Sequence, residues 1–258
     1  MWKYLPLFAT ALCFASTAFD ELETSGFTVV PNVFSEQDLA ELRSSYENMK
    51  AKAMALVASQ PATCRVFENH GQITESRFWK TEDALLLQAG KGRYDLYQGF
   101  TDDTLTSPRV IENPQLLSVI QEVLKQDFTY EVGLLISEPD SSDQYWHRDV
   151  DLLSHIESDG AKMVALDDFY VTVLIPLSCS FTYENGTTEF LEGSHRLSAL
   201  DFPSCSHVRT EVPLGSALVF NGKINHRGRA NLSSEDRSTL YIVYHSKWYN
   251  DKFRRGVN

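Results

Sequence analysis

The chain changes rhythm near residue 128. Upstream of it, apolar positions recur with helical spacing in two places. In "SEQDLAELRSSYENMKAKAMALV", Leu39, Leu42, Tyr46, Met49, Ala53 and Leu56 fall on one face, and Ser35 followed by Asp38 makes an N-terminal cap. In "NPQLLSVIQEVLKQ", Asn113 caps, Pro114 suits the first turn, and Leu116, Leu117, Ile120 and Leu124 form the apolar stripe. A short strand in "SGFTVV" precedes the first of these helices. Downstream, the runs "YEVGLLIS", "QYWHRDV", "FYVTVLIPL", "HVRTEVPL", "SALVFN" and "TLYIVYHS" are rich in β-branched and aromatic residues. Turn formers such as "EPDSSD", "ENG" and "NLSSED" lie between several of them. The pattern predicts a mainly β (α+β) protein, with two packing helices in front of a sandwich or a jelly roll.

Composition adds bounds to this picture. The 258 residues are 43% hydrophobic and carry no repeat or low-complexity tract, which suits one globular domain with a sizeable core. A formal net charge of -12 disfavours nucleic acid and anionic membrane surfaces as partners, because the summed field repels polyanions. Residues 1–18 read as a secretory leader, with one lysine, an apolar run to Phe14 and small residues ending in "ASTA". The apolar run is too short for a stable membrane span. Cleavage after Ala18 leaves a single domain over 19–258 in the secretory pathway, whether secreted, held in the ER or sent on to an organelle. Cys13 leaves with the leader, and Cys64, Cys179 and Cys205 are an odd set that cannot all pair. "NGT" at Asn185 and "NLS" at Asn231 are glycosylation acceptors on that route.

Candidate chemistry enters at "QYWHRDV". On a strand, His147 and Asp149 share one face while Trp146, Arg148 and Val150 take the other. Alone, such a pair is an ordinary polar strand face, so a third ligand is needed. The best candidate is His226, in "GSALVFNGKINHRGRANLSSEDRSTLYIVYH". A hairpin joining a strand that ends near Asn221 to one that begins at Arg237 brings His226 and Arg237 together. Two histidines and one carboxylate on one side of an octahedral ion form the arrangement of non-haem Fe(II) oxygenases. A guanidinium beside it is a natural anchor for a cosubstrate carboxylate. Asp151 shares the face of His147 but, four residues away, reaches the same ion less easily.

The order His-x-Asp, distal His, then Arg, here His147, Asp149, His226 and Arg237, resembles the phytanoyl-CoA dioxygenase family of Fe(II)/2-oxoglutarate oxygenases. "SGFTVVPNVFSEQDLAELR", "GRYDL", "YVTVLIPL", "NGTTEFLEGSHR" and "DRSTLYIVYHSKWYND" are similar to other segments of that family, so the likeness covers nearly all of the chain after the leader. It implies a double-stranded β-helix, the jelly-roll or cupin-like core, flanked by N-terminal helices. It also implies Fe(II) on His147, Asp149 and His226, and 2-oxoglutarate with its far carboxylate on Arg237. The implied reaction consumes O2, releases succinate and CO2, takes ascorbate as a supporting reductant, and hydroxylates a C–H bond. Halogenating relatives lack the carboxylate that Asp149 supplies, so its presence favours hydroxylation. Thr188 matches a family threonine near the cosubstrate, with Thr187 where many relatives have proline. Gln144, Tyr94 and Thr239 are further candidates for bonding the cosubstrate or lining the pocket. Arg196 is expected to serve structure or a pocket wall, His195 to face solvent, and His70, His155, His207 and His245 to be ordinary histidines.

The family's substrates range over acyl-CoA thioesters, small zwitterions, antibiotic sugars and other natural products. A CoA substrate needs a cationic groove, which the acidity of this chain does not encourage, so a small organic metabolite is expected. Asn185, in a segment placed near the site's mouth, is expected to be unglycosylated. The competing reading is a catalytically inactive jelly-roll binding protein of the same family, against which the intact set of four residues argues. No sequence feature specifies an oligomeric state.

Overall fold

The structure, a computed structural model, describes residues 17–69, 72–150, 154–156 and 163–250. The expected leader therefore lies outside the described residues except for Thr17 and Ala18, as do His70 and Asp151. The first expected helix forms as α1, Glu36–Ser59. Asp38 N donates to Ser35 Oγ at 3.2 Å and Ser35 N donates to Asp38 Oδ2 at 2.9 Å, so the cap is reciprocal and satisfies backbone donors that the first turn leaves open. Leu39, Leu42, Tyr46, Met49 and Ala53 are buried as the spacing predicts, and Leu56 packs at the margin of the core. A single turn, α2 (Pro108–Ile111), leads into α3 (Pro114–Leu124), which Asn113 caps through Gln115 N and Leu116 N. In α3, Val119 and Val123 join Leu116, Ile120 and Leu124 in the core, whereas Leu117 is only partly covered.

The strands in chain order are β1 (Phe27–Val30), β2 (Thr63–Asn69), β3 (Gln72–Lys80), β4 (Leu85–Ala89), β5 (Arg93–Gln98), β6 (Phe128–Ser137), β7 (Ser154–Ile156), β8 (Met163–Ala165), β9 (Tyr170–Pro176), β10 (Thr188–Leu191), β11 (His207–Arg209), β12 (Ala217–Asn221), β13 (His226–Gly228) and β14 (Arg237–Ser246). One antiparallel sheet runs β1-β12-β9-β14-β6-β5-β4-β3-β2, a smaller one runs β11-β10-β13, and β7 pairs with β8. Single bridges at His147↔His226 and Phe181↔Val212 widen the smaller sheet on either side. Two sheets face to face, with helices on the outer side of the larger one, make the jelly roll that the sequence left beside a sandwich. The meander β2–β5 is an addition, since the strand-rich region was expected only beyond residue 128.

The expected hairpin between the strand ending at Asn221 and the one starting at Arg237 does not form. β9 lies between β12 and β14 and pairs with both. After Asn221 the chain crosses to the smaller sheet as β13 and only then returns as β14, so His226 and Arg237 stand in different sheets. "QYWHRDV" likewise makes one bridge rather than a ladder strand. The N–H groups of Asp149 and Val150 both donate to Gly222 O, at 2.9 and 3.1 Å, which turns the chain. Val150 accordingly packs inward beside Phe169 and Tyr170 instead of sharing the outer face with Trp146 and Arg148.

Every residue of β14 is buried, so both of its faces meet protein. Leu240, Ile242 and Tyr244 join α1 and α3 in the main core, to which Ala18 and Leu22 also contribute. By strand alternation Arg237, Thr239, Tyr241, Val243 and His245 face the space between the sheets.

Replacing Ser35 by Ala removes a cap of the kind worth about 0.5–2 kcal/mol, so thermal denaturation should show a midpoint lowered by a few degrees with the fold retained. Neither sequon has room for a sugar. Asn185 Nδ2 donates to Ser180 O at 2.8 Å, and the fully buried Asn231 Nδ2 donates to Ser137 O and Glu235 O, both at 2.8 Å. The intact mass of the native protein should therefore show no glycan at either asparagine.

Candidate metal centre

The bridge that joins the segment around residue 147 to β13 is the base of the site. His147 N donates to His226 O at 3.0 Å and His226 N donates to His147 O at 2.8 Å, which sets the two imidazoles side by side with ring centroids 4.4 Å apart. Each ring is then oriented by its own backbone. His147 Nδ1 lies 2.9 Å from Tyr145 O and His226 Nδ1 lies 3.0 Å from Ile224 O. A carbonyl only accepts, so each Nδ1 carries the proton and each Nε2 presents its lone pair. Asp149 completes the group: Thr172 Oγ1 donates to its Oδ2 at 2.6 Å, while its Oδ1 lies 3.7 Å from His226 Nε2. One ligand atom from each of His147, Asp149 and His226 lies within 4.8 Å of the others, close enough to share an ion. Burial, and after it the neighbouring His147, push the pKa of His226 down to about 4, so this imidazole stays neutral and able to ligate at pH 7.

The three residues open onto a cavity of about 140 Å³ that Gln144, Thr188, Arg237 and Thr239 also line. Its size is well below the roughly 300–1,000 Å³ of pockets that enclose drug-sized ligands, so it suits a small chelating molecule. Arg237 is buried, donates to Ser137 Oγ at 3.1 Å and to Asn185 O at 3.5 Å, and has no partner for its Nε. Burial and the nearby Arg93 lower its pKa, an electrostatic cost that a bound carboxylate would relieve. Arg93 donates to the same Ser137 Oγ at 3.0 Å, to Ser142 O at 2.6 Å and to Arg229 O. It thereby ties β5 to the loop that carries Gln144 and to the segment after β13.

Gly228 keeps this corner open. A Cβ there would fall 2.6 Å from Gln144 Oε1 and 2.9 Å from Arg93 Nη1, inside contact distance of both. Gln144 Oε1 accepts from Gly228 N at 2.8 Å, and Thr188 faces Gly228 across the β10–β13 ladder. Of the expected lining residues, Tyr94 is placed elsewhere. Strand alternation turns it to the helix side, where it packs against the main core, and its neighbour Asp95 lines the cavity instead. His195, expected in solvent, is 3% exposed beneath Gly26, while Arg196 pairs with Glu23 at 2.5 Å in a structural contact. His207 packs edge-on to Trp146 outside the cavity, and His245 is buried toward the far end of β14, 3.9 Å from Glu131. Thr172, Ser137, Arg93 and Asp95 were not singled out in the sequence. Their signal was alternation along strands whose register only pairing reveals.

The phytanoyl-CoA dioxygenase (PhyH) family description matches residues 22–239, most of the chain and all four residues of the site. The chain belongs to the phytanoyl-CoA dioxygenase family. A related sequence, dioxygenase easH of Epichloe festucae var. lolii, is 30% identical over 99 residues. That alignment covers 38% of this chain and 51% of easH, so this family member spans about half the length of that relative. Among solved structures, the non-heme alpha ketoglutarate dependent epimerase SnoN from nogalamycin biosynthesis superposes with a TM-score of 0.62 at 16% identity, over 91% of this chain and 84% of SnoN. HygX from Streptomyces hygroscopicus, solved with nickel, 2-oxoglutarate and hygromycin B, superposes with a TM-score of 0.59 at 18% identity, over 91% and 88% of the two chains. At those identities the likeness fixes the fold, and the reaction has to be argued from the site itself.

Thr172→Val keeps the shape of the threonine but removes the donor to Asp149. Hydrogen bonds behind metal ligands typically carry about 10–100-fold in affinity, so titration with Fe(II) should show weaker binding by that order, with an unchanged circular dichroism spectrum.

Proposed function

We propose that this phytanoyl-CoA dioxygenase family member is an Fe(II)- and 2-oxoglutarate-dependent dioxygenase that hydroxylates a small organic metabolite, with release of succinate and CO2. The observation that carries the reading is the buried Arg237 guanidinium, hydrogen-bonded to a hydroxyl and a carbonyl, on the wall of the same cavity as two imidazoles and a carboxylate. The donor set of neutral imidazoles and one hard oxygen suits ferrous iron and leaves positions for further ligands. Bound iron with 2-oxoglutarate supplies the oxidative activation of O2.

The chain's own residues do the rest. His147, Asp149 and His226 hold the ion, Thr172 fixes the carboxylate, and Arg237 takes the far carboxylate of 2-oxoglutarate as a charged, forked donor. Thr188, Gln144 and Thr239 border the same space and add hydrogen-bonding groups around the cosubstrate. HygX with nickel and 2-oxoglutarate, and SnoN as an alpha ketoglutarate dependent enzyme, support the same cosubstrate here. SnoN is an epimerase, so the fold admits other oxidative outcomes, and the choice of hydroxylation rests on Asp149 occupying its ligand position. The intact triad and the buried guanidinium weigh against an inactive binding protein. Entry into the secretory pathway is part of the proposal and rests on residues 1–18.

With Fe(II), ascorbate and 2-oxoglutarate, the purified protein should release succinate, and His147→Ala should lose that release. Arg237→Lys keeps a cation but not the planar fork, and should raise the KM for 2-oxoglutarate by about tenfold or more. Equal succinate release from wild type and His147→Ala would sink the assignment.

A further inference from the structure

Arg237 has a second buried cation beside it. In the larger sheet β6 lies between β5 and β14, and the two ladders set Arg93 and Arg237 opposite Ser137 from its two sides. The three residues thus form one row across three strands and share the face turned to the cavity. Arg93 Nη1 and Arg237 Nη2 donate to Ser137 Oγ at 3.0 and 3.1 Å, and a Cβ on Gly228 would lie 2.9 and 3.4 Å from those same two nitrogens. Gly228 lines the cavity, so both guanidinium groups end immediately behind its wall. Their other acceptors are neutral, Ser142 O and Arg229 O for Arg93 and Asn185 O for Arg237. Asp143, the carboxylate that acts on Arg93 through space, is itself paired with Arg229 at 3.1 Å. Like charges buried side by side repel each other, and an anion drawn to one of them is drawn to both.

Resting on the oxygenase reading, we propose that Arg93 is a positioning residue for the cosubstrate, a second cation that strengthens the hold of Arg237 on the far carboxylate and makes the site reject 2-oxo acids lacking one. Arg93 acts without touching the ligand. Coulomb attraction falls only with the inverse of distance and is weakly screened in a water-poor interior, so a charge one row behind the wall still contributes. The hydrogen bonds of Arg93 to Ser137 Oγ and to Ser142 O are a separate effect, which steadies the row and the loop carrying Gln144. Charge and hydrogen bonding can be pulled apart by substitution. Lysine keeps the charge and loses the fork, whereas glutamine keeps a donor and loses the charge.

The test is calorimetry on the Fe(II)-loaded protein without oxygen, comparing 2-oxoglutarate with 2-oxovalerate, which has the same chelating head and chain length but ends in a methyl group. The ratio of the two affinities reads the far carboxylate alone. Wild type should favour 2-oxoglutarate by about hundredfold or more, Arg93→Gln should cut that ratio by about tenfold, and Arg93→Lys should hold it within about threefold of wild type. A merely structural tie would weaken both ligands alike in Arg93→Gln and leave the ratio unmoved, or would cost as much of the ratio in lysine as in glutamine. Either result overturns the proposal, as does a wild-type ratio below about hundredfold. Should Arg93→Gln fail to fold, Arg93→Lys carries the test, since its ratio is kept if the charge matters and lost if the fork does. Binding of 2-oxoglutarate to wild type, measured first, separates the two readings. Its absence removes the oxygenase assignment and this proposal together, whereas its presence with a failed ratio removes this proposal alone.

Discussion

The Arg237 guanidinium is buried at the first residue of a strand covered on both faces, among a hydroxyl, a carbonyl and the Phe181 ring. A cation in that position costs free energy unless an anion joins it, and the surroundings are built to hold it rather than to neutralise it. Ser137 Oγ accepts from Arg237 and from Arg93 alike, so three strands, β5, β6 and β14, meet at a single oxygen. Gly228 leaves open the corner that both guanidinium groups border. The cavity is therefore cationic at this end by construction.

The candidate metal ligands depend on the same architecture by a different route. Neither histidine is steered by a distant side chain; each Nδ1 finds a carbonyl two residues upstream, so the local backbone sets the tautomer. What brings the rings together is the single bridge between two segments that are 79 positions apart in the chain, from His147 to His226. Thr172, on the larger sheet, then reaches across to Asp149. In a site assembled from both sheets, each ligand side chain is oriented by a hydrogen bond of its own.

Much of this was legible in the sequence, and the failures have a common cause. Ser35 and Asp38, Asn113 and Pro114, and the apolar stripes of both helices act over three or four residues, so spacing alone placed them. The four residues His147, Asp149, His226 and Arg237 were found through their order along the chain, and the cavity unites them. Tyr94 and Asp95 were exchanged because one residue of register decides which side chain faces inward, and register is a property of the pairing with β6. The meander β2–β5 was missed although "ESRF" alternates outward Glu75 and Arg77 with buried Ser76 and Phe78. Its charges masked a half-buried strand. His195 looked exposed because histidine beside arginine usually is, and its burial depends on the approach of Gly26, in the bend before β1 and far away in sequence.

By itself the sequence determined the helices, the strand-rich second part and the inventory of chemical groups, since caps, apolar spacing and motif order are local properties of a chain. Only the tertiary structure decided that β9 separates β12 from β14, that His226 and Arg237 meet from opposite sheets, and that Asp95 rather than Tyr94 enters the cavity. Those choices belong to long-range strand pairing, in which distant segments compete for the same backbone hydrogen bonds and the winner is set by which faces can be buried together.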